Sequence, residues 1–285
     1  MIATRSWIRW RRFKSALGWT LSGAAFLALA VAMIQILFYV FAKGFKSLSF
    51  KLFAENTIGV GGGLKNAILG TLLLSGTAMI LAALVGVAAG LYLSEYGEGR
   101  MASLTRFLSD VLVGVPSIVL GFVGYVTLTV WLKWRFSLAA GAITLAVLML
   151  PYIVRSTELA LRRVASGIRE SAYALGCRDH QVVFKVLLKA AAPGIGTGIL
   201  LALAISAGET APLLYTAGWS NYGWSGRLIH EPVAYLTYVI WSFIGEPFHS
   251  AHALAYAAAF LITALILLIN LIARLLIATS PHGNR

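Results

Sequence analysis

The chain has 285 residues, of which 59% are hydrophobic and only 12% are charged, and its mean hydropathy is +0.84. This composition predicts an integral membrane protein and excludes an ordinary soluble or disordered chain. The formal net charge of +13 does not indicate a nucleic-acid binder, because the basic residues stand beside apolar runs of spanning length. The single cysteine, Cys177, excludes an intrachain disulfide and a cysteine-rich metal site.

The chain begins with a basic N-terminal segment, residues 1–16, followed by a long apolar run. Residues 15–42 carry no charge, whereas the apolar core of a signal peptide has only about 7–15 residues. We therefore predict an uncleaved first membrane span.

Six segments have the length of about 20 largely apolar residues that a membrane span requires. They are residues 17–42, 66–93, 108–132, 136–154, 194–216 and 251–277. The predicted fold is all-α: a polytopic membrane protein of six transmembrane helices, with one permease domain over residues 17–280. Pro116 and Pro151 are predicted to kink spans three and four. Residues 232–245 are apolar and aromatic but too short to span, and predict an interfacial helix.

The distribution of basic residues predicts the orientation. With both termini cytoplasmic, the cytoplasmic segments hold 16 basic residues and the outer loops hold 7. The largest group lies in the predicted cytoplasmic loop, residues 155–192. The positive-inside rule therefore predicts a multi-pass membrane protein with both termini in the cytoplasm. Four lysines in the first outer loop oppose this rule.

The sequence contains no recognisable catalytic motif. The stretch "GVGGGLK" (59–65) lacks the spacing of a phosphate-binding P-loop and predicts a flexible segment before span two. His249 and His252 are two potential ligands without the further ligands that a metal site needs. We therefore predict a non-enzymatic chain that binds no cofactor or metal, so any ATP chemistry requires another chain.

A polar hairpin, residues 169–192, interrupts the apolar sequence with "RESAYALGCRDHQVVFKVLLKAAA". Gly176 predicts the end of a first short helix, and Asp179 predicts the cap of a second. In that second helix Val183, Phe184, Leu187, Leu188 and Ala191 share one apolar face. Pro193 and Gly194 are predicted to separate it from span five. Such a protruding helix fits a groove on a soluble partner.

The stretch Glu170-Ser171-Ala172, followed after three residues by Gly176, resembles the E-A-A-x-x-x-G loop of the membrane subunits of bacterial ABC importers. Serine replaces the middle alanine, and the proline that often ends the family's loop is absent at Lys189. In that family the loop docks into the nucleotide-binding subunit, so the resemblance implies that Glu170, Ala172 and Gly176 couple this chain to an ATPase.

Four further stretches narrow the resemblance. They are "SDVLVGVPSIVLG" (109–121), "LPYIVRSTE" (150–158), "RESAYALG" (169–176) and "AGETAPLLYTA" (207–217). Together they resemble phosphate-importer permeases of the PstA type, from about residue 64 to the C-terminus. The resemblance implies a second permease of the PstC type, a dimeric ATPase of the PstB type that holds ATP and Mg²⁺, and an extracytoplasmic phosphate-binding protein.

Four charged residues lie in or near predicted spans, where a charge costs about 2.5–3.5 kcal/mol. We predict that Arg155, Glu158, Glu209 and Asp110 line the substrate path. Three of them have an alternative role: Glu209 holds a kink beside Pro212, Arg155 extends to the membrane surface, and Asp110 pairs with Arg106 or caps its helix.

Other functions remain open at this stage. A permease for another oxyanion, such as sulfate or molybdate, would share the polar hairpin. A membrane-embedded lipid enzyme would need a catalytic cluster, and a passive channel would need no docking hairpin.

Overall fold

The computed structural model describes residues 5–278. Residues 1–4 of the predicted N-terminal segment and residues 279–280 of the predicted permease domain lie outside the described residues. The described chain is almost entirely helical, and its twelve α-helices are α1 (Arg5–Ser47), α2 (Phe50–Ala54), α3 (Lys65–Glu95), α4 (Arg100–Gly114), α5 (Ser117–Gly124), α6 (Leu138–Arg162), α7 (Ser166–Ala174), α8 (Asp179–Gln181), α9 (Leu188–Ala207), α10 (Ala211–Thr216), α11 (Leu236–Phe243) and α12 (His249–Ala278). The all-α fold is confirmed.

Five helices in the described residues are long and apolar enough to cross a membrane. A sixth span is formed if α4 and the helix Ser117–Trp131 count as one bent span; in that helix a π-helical segment, Tyr125–Trp131, continues α5. The two bend by 104° at the break before Ser117. Pro116 occupies the break, where it lacks an amide hydrogen and restricts the residue before it. The predicted kink of span three is therefore a complete break. Pro151, in contrast, lies inside the unbroken α6.

The fourth predicted span ends too early. α6 continues to Arg162, so Arg155 and Glu158 lie on a helix that packs against the bundle and not in a loop of residues 155–192. The prediction stopped at the first charge, but ion pairs described below allow the helix to carry charged residues further.

The helix that contains most of the fifth predicted span has different ends from residues 194–216. Asp179–Ala207 runs as one helix, in which a π-helical segment, Val182–Leu187, joins α8 to α9. Pro193 lies inside this helix and does not separate the polar hairpin from the span. Proline is tolerated inside membrane helices where neighbouring helices, side chains or a local adjustment of the helix satisfy the backbone groups that it leaves free. At the other end the helix stops at Ala207, and the separate α10 begins at Ala211.

Two smaller elements lie at the end of the bundle opposite the polar hairpin. A two-stranded ribbon pairs β1 (Thr57–Ile58) with β2 (Gly61–Gly62) in antiparallel register, where the sequence predicted a flexible segment. Helix α11, Leu236–Phe243, lies within the predicted interfacial stretch. Buried Asn66 ties these parts together: its Oδ1 accepts from the Thr57 amide at 3.0 Å, and its Nδ2 donates to the Ser220 carbonyl at 2.8 Å.

The centre of the bundle is the contact between α3 and α6. Small residues recur every fourth position along α3, at Ala78, Ala82, Gly86 and Gly90, and all four are buried. A Cβ added at Gly90 would lie 2.7 Å from the Val154 carbonyl oxygen. Helices in a membrane associate through such small-residue surfaces, because no hydrophobic force drives them together in lipid. The pattern therefore sets the distance between α3 and α6.

This contact makes a test of paired substitutions on α3 possible. Gly90→Ala should destabilise the protein by about 1–3 kcal/mol, because the new methyl group overpacks against Val154 and Thr157. Gly76→Ala is the matched control, because no atom lies within 4 Å of the new methyl group. It should leave stability unchanged or raise it by up to about 1 kcal/mol. Thermal unfolding of the purified variants in detergent measures the stability of both. Equal unfolding midpoints would contradict the close packing of α3 against α6.

Candidate functional site

The first helix of the polar hairpin ends in a glycine turn with two specific hydrogen bonds. Gly176 has a φ of +76°, a conformation that other residues adopt only with strain. The Cys177 amide donates to the Ala172 carbonyl at 3.2 Å, and the Gly176 amide donates to the Tyr173 carbonyl at 2.9 Å. These two bonds form a Schellman motif. The glycine therefore sets the direction in which the chain enters α8.

The cap of the second helix differs from the prediction. Asp179 is the first residue of α8, not its cap, and Arg178 occupies the cap position. The Gln181 side chain accepts from the Arg178 amide at 3.0 Å, so a side chain within the helix satisfies this amide.

The polar hairpin is anchored to the bundle through a small apolar core. Ala172 is buried and packs in one cluster with Leu161, Val182 and Leu187. Val87 and Leu91 of α3 pack against the same cluster. This packing assigns Ala172 a physical role, since a larger residue does not fit between α7 and the start of the following helix. The predicted apolar face is partly wrong, because Phe184 is exposed and Val182 is buried in its place.

An ion pair also links the polar hairpin to α3. Arg169 Nη2 lies 2.7 Å from Glu95 Oε1, at the last residue of α3. Glu95 is mostly buried, with 12% of its side chain exposed, so this pair is less screened by water than a surface pair. The polar hairpin is therefore joined to α3 by both charge and packing.

The exposed surface of α7 and of the turn that follows it carries one acidic and two large apolar side chains. Glu170 is exposed and forms no ion pair with any described residue. Leu175 and Phe184 are also exposed. Partial desolvation and then the neighbouring Asp179 carboxylate raise the pKa of the Tyr173 phenol above its ordinary value.

Above the polar hairpin, one buried carboxylate binds three arginines. Glu158 is 2% exposed. Its Oε1 lies 2.9 Å from Nη2 of Arg106 and 2.9 Å from Nη2 of Arg162, and its Oε2 lies 3.1 Å from Nη1 of Arg155. Removing an ionised carboxylate from water costs several kcal/mol unless cationic partners compensate it. The four residues together carry a net charge of +2, which favours an anion nearby.

Arg155 and Asp110 border the same groove, which has a volume of about 280 Å³. Its walls come from α4, α6 and α9, and include Ser109, Tyr152 and Ser156. Asp110 does not pair with Arg106, as the shared helix face had suggested, because Arg106 points to Glu158 instead. Asp110 forms no hydrogen bond or ion pair with the described residues, so its carboxylate is available to the groove.

Glu209 occupies the non-helical break between α9 and α10, and its side chain is half-buried. Its backbone carbonyl accepts from Thr237 Oγ1 at 2.9 Å, and Ser117 at the start of α5 lies within hydrogen-bonding reach of its carboxylate. α5 and α10 approach closely, since a Cβ at Gly121 would lie 2.5 Å from the Pro212 Cα. Both broken spans therefore meet beside Glu209.

The structure divides the four predicted path residues. Arg155 and Asp110 share the groove, Glu158 lies behind Arg155 as its buried partner, and Glu209 lies at a separate break. Sequence reasoning missed three members of these ion pairs: Arg162, Arg169 and Glu95. The i,i+4 spacing of Glu158 and Arg162 is a signal that was available, whereas Glu95 and Arg169 are 74 residues apart. Among the described residues no cluster of histidine, cysteine or carboxylate side chains is arranged to hold a metal.

Comparison with known proteins gives a consistent result. Residues 82–279 match the model of the family described as binding-protein-dependent transport system inner membrane component. A protein of Mycobacterium bovis named phosphate transport system permease protein PstA 2 is 43% identical over 93% of this chain and 88% of its own length. The Yersinia pestis protein named phosphate transport system permease protein PstA is 43% identical over 96% of this chain and 93% of its own.

The fold also resembles a solved structure. A chain of the MetNI methionine ABC transporter, in an inward-facing conformation, matches with a TM-score of 0.59 and 22% sequence identity. The match covers 75% of this chain and 95% of the transporter chain.

The apolar anchor of the polar hairpin can be tested by two substitutions on the same helix. Ala172→Leu places a larger side chain into the buried cluster, and should loosen α7 by about 1–3 kcal/mol. Ala174→Leu, two residues further on the exposed surface, should have no such effect. Hydrogen–deuterium exchange of residues 166–187 measures the difference. Equal exchange in the two variants would contradict the anchoring role of Ala172.

Proposed function

The chain belongs to the family of binding-protein-dependent transport system inner membrane components, and we propose that it is a permease subunit of an ATP-driven importer of inorganic phosphate. The observation that carries this proposal is the identity of 43% with two phosphate transport system permeases, over 93% and 96% of the chain. The path residues Arg155 and Asp110 and the broken spans at Glu209 lie in the matched region.

The importer that we propose contains this chain, a second permease of the PstC type, a dimeric ATPase of the PstB type and an extracytoplasmic phosphate-binding protein. The chain lies in the bacterial inner membrane with both termini in the cytoplasm, which is the orientation that places the basic hairpin inside. It performs no covalent chemistry and binds no cofactor, because ATP and Mg²⁺ belong to the ATPase.

In the mechanism that we propose, the ATPase grips the polar hairpin at Glu170 and the turn around Gly176. Closure of the ATPase dimer on ATP displaces α7, and the Arg169–Glu95 pair with the Ala172 cluster carries the motion to α3 and α6. The spans then alternate between inward-facing and outward-facing arrangements. Phosphate, released by the binding protein, passes along a path completed by the second permease.

The net positive charge around Glu158 supports an anionic substrate. Arg155 has a planar guanidinium with several donors, which suits the oxygen atoms of phosphate. One nitrogen of Arg155 binds Glu158 and the side chain is 58% exposed, so other donors face the groove. This chemistry also suits sulfate or molybdate, and the comparison with phosphate permeases decides between them. A lipid enzyme is not favoured, because the relatives named here are transport permeases.

Uptake by reconstituted vesicles tests the proposed substrate. Vesicles that contain all four components should accumulate phosphate when ATP and the binding protein are present, and should not accumulate sulfate. Omission of either ATP or the binding protein should abolish uptake. Accumulation of sulfate but not phosphate, or unaided phosphate transport by this chain alone, would contradict the proposal.

Glu170→Lys tests the coupling role of the polar hairpin. The reversed charge on the exposed face of α7 should lower ATP-driven phosphate uptake by about tenfold, the size expected when one charged contact is lost. Insertion into the membrane should stay normal, because Glu170 has no ion pair within the described protein. Glu98→Lys makes the same charge change at another exposed position near the same end of the bundle and serves as the control. Normal uptake and ATP hydrolysis in Glu170→Lys would remove this residue from the docking surface.

A further inference from the structure

The three arginines that bind Glu158 differ in where they come from. Arg155 and Arg162 belong to the same helix as Glu158, at positions i−3 and i+4, and more than half of each side chain is exposed. Arg106 comes from α4 and is only 27% exposed. Among the described residues, therefore, Arg106 is the arginine that connects this carboxylate to another helix.

Arg106 also holds the end of α3. Its Nη1 donates to the Gly97 carbonyl at 3.1 Å, and its Nη2 donates to the Leu93 carbonyl at 3.1 Å. Its Nε donates to Glu158 Oε1 at 2.9 Å. One guanidinium thus joins α3, α4 and α6, which requires the planar arrangement of donors that arginine has and lysine lacks.

The position of Arg106 has a consequence for Arg155. Arg106 and Arg162 both bind Oε1 of Glu158, which leaves Oε2 to Arg155 at one nitrogen. Without Arg106, the carboxylate is held at Oε1 by the half-exposed Arg162 alone, and it can turn to accept two parallel bonds from Arg155, the geometry that arginine and carboxylate prefer. A second of the five donors of Arg155 would then be occupied by Glu158 and lost to the groove.

We propose that Arg106 is a positioning residue: it fixes the Glu158 carboxylate so that Arg155 keeps free donors directed to the groove where an oxyanion passes. This inference rests on the proposed function, in which the groove carries phosphate. It gives α4 a role in the anion path, although Arg155, the arginine that borders the groove, lies on α6.

Gly97 supplies an independent way to disturb this arrangement. A Cβ at Gly97 would come within 2.5 Å of Arg106 Nη2 and would also collide with the Leu93 carbonyl oxygen. Gly97→Ala therefore displaces the Arg106 guanidinium without changing any charge. Its effect on phosphate uptake therefore shows what the position of Arg106 contributes, apart from the positive charge of this residue.

The test uses the complete importer in vesicles, with ATP, binding protein and inorganic phosphate. Arg106→Gln should lower phosphate uptake at least tenfold, Gly97→Ala should lower it in the same direction, and Arg106→Lys should not restore it. Arg100→Gln is the matched control, because Arg100 is an exposed arginine on the same helix, without an ion pair among the described residues. It should transport normally. Normal uptake by Arg106→Gln would overturn the proposal.

A second comparison distinguishes positioning from a purely structural role. If Arg106 acts through Arg155, adding Arg106→Gln to Arg155→Lys should lower uptake less than twofold further, since the two changes remove one function. If Arg106→Gln lowers uptake by the same factor in the Arg155→Lys importer as in the wild type, the proposal is overturned. If Arg155→Lys carries no phosphate at all, labelling of Arg155 with phenylglyoxal replaces uptake as the readout. Phosphate should slow the labelling in the wild-type importer and not in Arg106→Gln, and equal protection in both would overturn the proposal.

The outcomes also separate this inference from the function on which it rests. A wild-type importer that carries no phosphate contradicts the proposed function. Normal phosphate transport in the wild type, together with multiplying losses in the double variant, contradicts only the positioning role of Arg106.

Discussion

The close approach of α3 and α6 is the constraint on which the rest of the structure depends. Gly86 and Gly90 leave no room for a side chain against Ile153, Val154 and Thr157. In lipid, such contact replaces the hydrophobic force that packs helices in water. It also places Glu158, the residue after Thr157, beside the end of α3. The ion pairs of Glu158 therefore lie at the end of the contact between α3 and α6.

The last turns of α3 connect the polar hairpin to the Glu158 cluster. Glu95 binds Arg169 of the polar hairpin, and the carbonyl groups of Leu93 and Gly97 bind Arg106 of the Glu158 cluster. The Ala172 cluster adds an apolar contact between the hairpin and the same helix. A force on the hairpin therefore reaches the arginines beside the groove through a short series of contacts. This arrangement fits a subunit that converts the motion of a separate ATPase into a change in its spans.

The sequence was sufficient for the features that depend on local composition. Spans of apolar residues, the glycine that ends α7 and the resemblance carried by Glu170, Ala172 and Gly176 are all visible in short stretches. The sequence did not predict whether a given proline or charged residue ends a helix. Pro116 breaks a span, since Val115 before it is extended and ends α4, while Pro151 and Pro193 lie inside unbroken helices. The predicted fourth span stopped before Arg155, because a charge was expected to end it. Helix α6 continues to Arg162, since three arginines compensate the buried Glu158.

By itself the sequence determined that the chain is a membrane protein with six apolar segments, a basic hairpin of residues 169–192 and the motif of an importer permease. The first two follow from composition, and the third from the resemblance of short stretches to a known family; all of these features are local to the chain. Only the tertiary structure decided that Glu158 is shared by arginines from two helices, that Asp110 faces the groove without pairing with Arg106, and that Arg169 reaches Glu95. Those contacts join residues up to 74 positions apart, and their partners are chosen by how closely the helices pack, which no single stretch of the chain encodes.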